Sequence, residues 1–572
     1  MPQGYASNEE TRLIIDYGSD AAPADVEADL CIIGAGAAGL AIARSFLGTS
    51  VRVCLLESGG LSGEERNQAL YEGSSIGFPD FDPGISRMRV FGGTCNLWGG
   101  GCIPLGELHP REWVPHSGWP ISYEELKPYY TSARSFCRIE SHEFDQDSFL
   151  TRPAYPPLAF DDRTVVNKVF AFSPVLFGNA YRTEVEQAPN IQVLLHANLL
   201  ELDAAASGES VQQARIGTLD GRRGVVRARQ YVLACGGIEN ARLLLLSNSV
   251  APKGLGNDHD LVGRYFMDHP SGKLGSIRTD DPHRLARPYD RNLDKAAVST
   301  FPEICLSDEA QQAHRILSGR VRPFAIEGPV PKGIRALREL KSTLRARKID
   351  ETSTLASRLS ARKNGEPQAA VRATAAGQDG IARQALRVGL GIGDIAKAFV
   401  RKLARQPTVK SDHIALVGYF EQVPNPDSRI TLGQERDALG QPKVCVDWQL
   451  TPLDRHTYRT AATLFGNELA RACNGRFELE PWLEQDDGAV PQVYGTSHHL
   501  GTTRMADDPN QGVVDRQCKV HGIDNLYVAG SSVFPTGGWA FPTFTIVALS
   551  LRLAEHLRSR LELASLVTPF VA

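Results

Sequence analysis

The stretch ADLCIIGAGAAGLAIARSF, residues 28–46, constrains the fold more than any other part of the chain. A short apolar run ends in Gly34-x-Gly36-x-x-Gly39 and passes at once into a helical pattern. Gly34 permits the tight turn, Gly36 lets the backbone approach a pyrophosphate, and Gly39 lets helix and strand pack closely. The helix N-terminus then offers N–H groups and the positive end of its dipole to phosphate oxygens. A glycine-rich turn alone is weak evidence. This one has a strand before it, a helix after it, and a second strand, VRVCLLESGG, that reaches Glu57. Glu57 stands 23 positions beyond Gly34, where an acidic residue meets the ribose hydroxyls of an adenosine. The pattern predicts a dinucleotide-binding unit.

At 572 residues the chain exceeds what one hydrophobic core ordinarily supports, so more than one domain is expected. The strand–turn–helix pattern resumes at QYVLACGGIENARLLLLSN (230–248) and again at NLYVAGSSVFPTGG near the C-terminus. Such a discontinuous nucleotide domain, closed by its last segment, is the arrangement of large flavoproteins. The expected fold class is α/β, with a Rossmann-like domain over 1–105, 191–270 and 491–572. A discontinuous α+β substrate domain with an antiparallel sheet then takes 106–190 and 271–490. There HIALVGYFEQ, SRITLGQ and KVCVDWQL read as antiparallel strands, each short, β-rich and bounded by turn residues. TPLDRHTYRTAATLFGNELARAC reads as an amphipathic helix capped by Thr451.

A net charge of −4 gives no general attraction to nucleic acid or anionic membrane. The polar, acidic N-terminus lacks the basic and apolar regions of a secretion signal, and no apolar run is long enough to span a bilayer. Ten cysteines without a CxxC pair argue against a zinc ribbon or a dithiol site. No metal is expected, and the expected location is the cytoplasm. Residues 331–408 stand apart, with 17 Lys and Arg against 6 Asp and Glu in a helical pattern broken by KNGEPQ and GLGIG. Two readings of this insert stay open. It is a solvated helical lid over the site, or a basic amphipathic surface for a membrane or an acidic partner.

Four stretches together resemble the glucose–methanol–choline (GMC) oxidoreductase family, in its bacterial form: GAGAAG…LLESGG, RVFGGTCNLWGGG (89–101), SHHLGTTRM (497–505) and NLYVAGSSVFPTGGWAFPTFTIVALSLRLAEHL (525–557). GNDHDLVGRYFMDHP (256–270) and EQVPNPDSRITL (421–432) look like connecting segments of such proteins. The resemblance implies FAD as cofactor, an alcohol or sugar as substrate, and oxygen or another electron acceptor. It places Gly92, Gly93, Asn96 and Trp98 along the flavin, with Gly530, Ser531, Pro542 and Thr543 at its other end. Where some members attach FAD covalently through a histidine, this chain has Leu97, which implies non-covalent FAD.

The resemblance also selects His498 as catalytic base, three residues before the glycine of "GT". A histidine with a pKa near 6.5 suits proton removal at neutral pH. His499 points elsewhere, lines the pocket or orients the substrate. Arg504 is assigned a structural role, holding its loop. The turn before the last helix reads FPT where the family often has NPT, whose asparagine binds the substrate oxygen. Phe541 has no donor or acceptor to do so. Three explanations stay open: another group orients the substrate, Phe541 and Trp539 pack on an apolar substrate face, or the protein holds FAD with weak or no alcohol oxidation, as a scaffold or a non-redox lyase.

Overall fold

A computed structural model describes residues 13–77, 81–106, 108–144, 157–289, 299–350, 385–403, 407–484 and 491–567. From Leu30 to Ile33 the strand Asp25–Ile33 is buried at almost every position, as in a strand covered on both faces. It lies inside an eight-stranded sheet. The order is Ile14–Asp16, Ile191–Leu195, Val53–Leu56, Asp25–Ile33, Arg223–Leu233, Val211–Gly217, Asn198–Ala204, with Leu526–Val528 paired to Arg223–Leu233. Pairing is parallel through the first five strands and on to Leu526–Val528, and antiparallel in the remaining two. Segments far apart in sequence thus close one parallel sheet. The helix Pro542–Val567 packs on the helices Ala37–Arg44 and Tyr123–Phe136, with Phe544 stacked on Tyr130 at 5.4 Å.

A second sheet has seven strands, in the order Arg476–Leu479, Ser271–Arg278, Ser411–Phe420, Gly319–Glu327, Ser299–Leu306, Val165–Phe172, Gly101–Cys102. All its pairings are antiparallel. One face buries Ile277, Ile304, Val321, Leu416 and Phe420 under Tyr458, Ala461, Phe465 and Leu469 of the helix Pro452–Ala472. That helix starts as expected. Thr451 accepts the Asp454 N–H, Asp454 accepts the Thr451 N–H, and Pro452 fills the first position. On the other face Arg320 lies over the rings of Phe170, Tyr419 and Phe541.

SRITLGQ and KVCVDWQL pair with each other as expected, but they form a third sheet together with Gly73–Gly77. The reason is which core they feed. Ile430, Val444, Val446 and Trp448 bury into the cluster that fills the nucleotide-binding unit. In the basic insert, the helices Lys332–Asp350 and Ile392–Leu403 meet through Ile334, Ala398 and Val409. The KNGEPQ break lies outside the described residues. Among the described residues no helix is long and apolar enough to cross a membrane.

Candidate active site

A cavity opens where the parallel strands end, between the two large sheets. Gly34 (φ +105°) makes the turn there, and a side chain on it would meet the Ala234 carbonyl oxygen at 2.6 Å. Gly39 works behind the wall, its absent Cβ leaving room for the Gly34 carbonyl. Gly36 precedes the helix Ala37–Arg44 without a side-chain cap, so the first helical N–H groups remain available to an anion. Glu57 is buried at the next strand end, its carboxylate accepting N–H bonds from Gly59 (2.8 Å) and Ala35 (3.1 Å). Burial pushes its pKa up.

The cavity wall contains Gly34, Gly36, Glu57, Gly93, Leu97, Trp98, His498, His499, Gly530, Ser531, Phe541, Pro542 and Thr543. Asn96 and Gly92 are not among its lining residues. The Asn96 amide donates to the carbonyls of Phe91 (3.1 Å) and Gly93 (2.9 Å), so it ties its own loop. Gly92 instead lets the chain pass close to Gly178. Trp539 is also displaced from its expected place: it is buried against Phe170 (5.6 Å between ring centroids), behind the wall. Among the described residues none of the basic insert lines the cavity.

Reading the sequence missed a buried charge cluster in the same wall. Glu239 pairs with Arg87 (2.9 Å), Arg242 (3.3 Å) and Arg89 (3.4 Å), and Arg242 also holds Asp437 (2.7 Å). Burial pushes Glu239 up, but Arg242, Arg87 and Arg89 outweigh it and hold the carboxyl at about 2. Arg89 Nε has no partner among the described residues. A buried donor left over in a cluster of three guanidiniums suits an anionic group in the cavity. With the glycine turn, the uncapped helix and Glu57, the donor set fits a dinucleotide.

His498 follows Ser497, whose φ of +66° places a non-glycine residue in the left-handed region. Asp268 holds this turn. It accepts the backbone N–H of His498 (2.9 Å), Ser497 (2.9 Å), Thr496 (3.2 Å) and its own neighbour His269 (2.7 Å). His269 Nδ1 then lies 2.9 Å from His498 Nδ1, and Thr496 Oγ1 lies 3.0 Å from the same atom. Burial, assisted by the Arg320 charge, pushes His269 down to about 4, so it is neutral near pH 7. Its Nε2 faces the Gly537 carbonyl oxygen at 3.4 Å, which assigns its proton there. His269 Nδ1 therefore accepts, His498 Nδ1–H donates, and the basic lone pair of His498 falls on Nε2.

The second histidine at His498 is thus His269, not His499. The His499 ring is packed between Phe81 (5.2 Å, edge-on) and Phe266 (5.9 Å, stacked), and its carbonyl accepts the Ser531 hydroxyl at 2.6 Å. Phe541 stands edge-on to His498 at 5.7 Å, with Phe170 at 4.9 Å and the Arg320 guanidinium at 4.7 Å. Arg504 donates to the His116 carbonyl at 2.8 Å and covers Tyr265, a structural position.

A dinucleotide cavity beside an oriented histidine, on a parallel sheet faced by an antiparallel one, is an arrangement that suits an oxidoreductase with a bound dinucleotide. Residues 424–550 match the GMC oxidoreductase family. The chain is 24% identical to 6'''-hydroxyparomomycin C oxidase of Streptomyces lividus over 95% of its own length and 94% of that protein. It is 24% identical to the fructose dehydrogenase large subunit of Gluconobacter japonicus over 59% of this chain and 48% of that one. Among solved structures, formate oxidase superposes with a TM-score of 0.53 at 16% identity, covering 94% of this chain and 99% of the other. The family match covers 424–550, and the relatives just described are oxidoreductases that the chain resembles along most of its length.

Proposed function

We propose that this protein oxidises a hydroxyl group of a sugar, glycoside or polyol, with FAD held non-covalently. The contact between His498 and His269 carries the reading. It fixes the tautomer in which His498 Nε2 takes the hydroxyl proton as the C–H bond breaks. Bound FAD supplies the hydride acceptor. His269 and Thr496 share the His498 Nδ1–H and stabilise the imidazolium that proton removal creates. Asp268 fixes the turn that presents the ring. Pro542 and Thr543 open the C-terminal helix at the cavity, where its N–H groups favour negative charge. Phe541 closes the substrate side with an apolar edge, so substrate orientation falls to His498 Nε2, held in place by His269, and not to an amide.

Non-covalent attachment is supported by Leu97, which lines the cavity without a nucleophilic atom. The Cys95 thiol in the same wall is pushed up to about 12 by burial and by Cys102, which keeps it protonated and a poor nucleophile. The names of the relatives, a hydroxyparomomycin oxidase and a fructose dehydrogenase subunit, support a sugar-like alcohol.

The test is an anaerobic visible titration of the purified holoprotein with sugars, glycosides, polyols and simple alcohols. Bleaching by a polyhydroxylated compound, and release of FAD into the supernatant on acid precipitation, are the expected results. Readmitting air, then an artificial acceptor, separates oxidase from dehydrogenase. Flavin that dithionite reduces and no alcohol does would overturn the reading in favour of a flavin-bearing scaffold.

A further inference from the structure

The segment 385–403 of the basic insert has no part in the chemistry, yet it shows a sharply divided surface. At about 100° per residue, Ile392, Phe399, Val400 and Leu403 fall with Ala396 on one arc of roughly 120° of the helix Ile392–Leu403. These side chains face solvent: Ile392 and Leu403 are each 70% exposed and Phe399 is 62% exposed. Leu386 and Leu390, one helical turn apart immediately before this helix, are exposed as well. The opposite side is anchored: Ala398 is buried against Ile334, and Asp394 accepts the Gly333 N–H at 3.1 Å. Lys397 borders the apolar arc on one edge and Lys402 on the other, with Arg401 beyond. The segment carries four cations, Arg387, Lys397, Arg401 and Lys402, and one acid, Asp394, which is turned inward to the Gly333 N–H.

We infer that this helix docks the protein on an anionic lipid surface, lying in the plane of the interface. Exposed Phe, Ile, Val and Leu side chains flanked by lysines on both edges match a headgroup boundary. The apolar arc enters the acyl region, and the lysine stems run along it to reach lipid phosphates. The charge pattern decides against a second copy of the chain. Pairing this face with itself about a twofold axis brings two lysine-edged helices together without an acid on either face. Docking here leaves the substrate cavity unobstructed, because no described residue of 385–403 lines it. The inference does not rest on the proposed substrate.

Flotation of the full-length holoprotein with vesicles tests it. Phosphatidylcholine vesicles are compared with vesicles holding about 30% phosphatidylglycerol, at low and high salt. The wild type is expected to float with the anionic vesicles and to remain unbound with phosphatidylcholine alone. Raising the salt should release it in part. The double substitution Phe399→Ser/Leu403→Ser is expected to lower partitioning about tenfold or more, with the flavin spectrum, Tm and flavin reduction unchanged. Lys397→Glu/Lys402→Glu should weaken binding and flatten its salt dependence. Absence of flotation with anionic vesicles overturns the inference, as does an apolar double variant that floats like the wild type. A dimer that this variant makes monomeric would assign the face to a second copy, and overturn it too.

Discussion

Asp268 and His498 are joined through the backbone: the buried carboxylate accepts the His498 N–H at 2.9 Å and leaves the imidazole to face its partners. The same carboxylate accepts the N–H groups of Ser497, Thr496 and His269, so one side chain sets the separation of both histidines. Asp268→Asn keeps the shape but turns an NH₂ towards some of those donors. Flavin reduction is expected to fall by about tenfold to a hundredfold, the cost of misplacing a reacting group by a fraction of an ångström to an ångström. FAD content should not change. Anaerobic stopped-flow with the preferred alcohol, beside the absorbance ratio of flavin to protein, measures both; wild-type rates would show that the turn holds without the carboxylate.

Protonation of His269 is written into the stability of the fold. In the folded chain it binds a proton near pH 4, and in the unfolded chain near 6.5. The unfolded state therefore holds more protons between these values. His269 costs nothing above pH 6.5, and acidification to below pH 4 removes about 3 kcal/mol. Asp454 has the opposite sign: burial pushes it from 3.8 up to about 6, so its stabilisation is full below pH 3.8 and is lost as pH rises through 6. Urea midpoints across this range should show His269→Gln gaining on the wild type as pH falls. Asp454→Asn should gain as pH rises. Parallel profiles would contradict the burial argument.

Glu239 neutralises a wall built from Arg87, Arg89 and Arg242. Glu239→Gln leaves these buried guanidiniums with Asp437 as their remaining carboxylate, on Arg242. Loss of about 3–5 kcal/mol is expected for breaking a buried pair. Bound FAD, being anionic, offsets part of that loss. Its addition should raise the denaturation midpoint more in the variant than in the wild type. Equal shifts would place the cluster out of reach of the cofactor.

What the sequence made legible was local. The glycine turn, the GGTCNLW loop and the start of the last helix each show their physics within about ten residues and Glu57 within 23 of Gly34, and they converge on one cavity. Asp268 and His269 were visible as FMDHP but had no readable role, because their partners stand 230 and 229 residues away. Glu239 depends likewise on Arg87, 152 residues earlier. Its β-rich composition and bounding turn residues mark KVCVDWQL as a strand, but they do not say which core Val444, Val446 and Trp448 enter. Trp539 and Phe541 lie two residues apart, and only the surroundings sent one ring into the wall and the other behind it.

Phe541 decides how narrow the site is, and Gly101 gives a way to move it without replacing it. A Cβ at residue 101 would lie 2.4 Å from Phe541 Cδ2, so Gly101→Ala must push the ring. The ring is held between Phe170, Arg320 and His498, which leaves His498 as the neighbour on the substrate side. Gly101→Ala is therefore expected to slow flavin reduction about tenfold while FAD stays bound, since every reacting group is still present and only its geometry changes. Phe541→Asn works differently. It removes the ring from Phe170 and Arg320, at a cost of about 3 kcal/mol, and places an amide beside His498. Turnover of small, polar alcohols should rise relative to that of the protein's preferred substrate. Comparing kcat/KM of both variants over the same panel separates the two effects. If both variants keep the wild-type preference, Phe541 fills space and does not select the substrate.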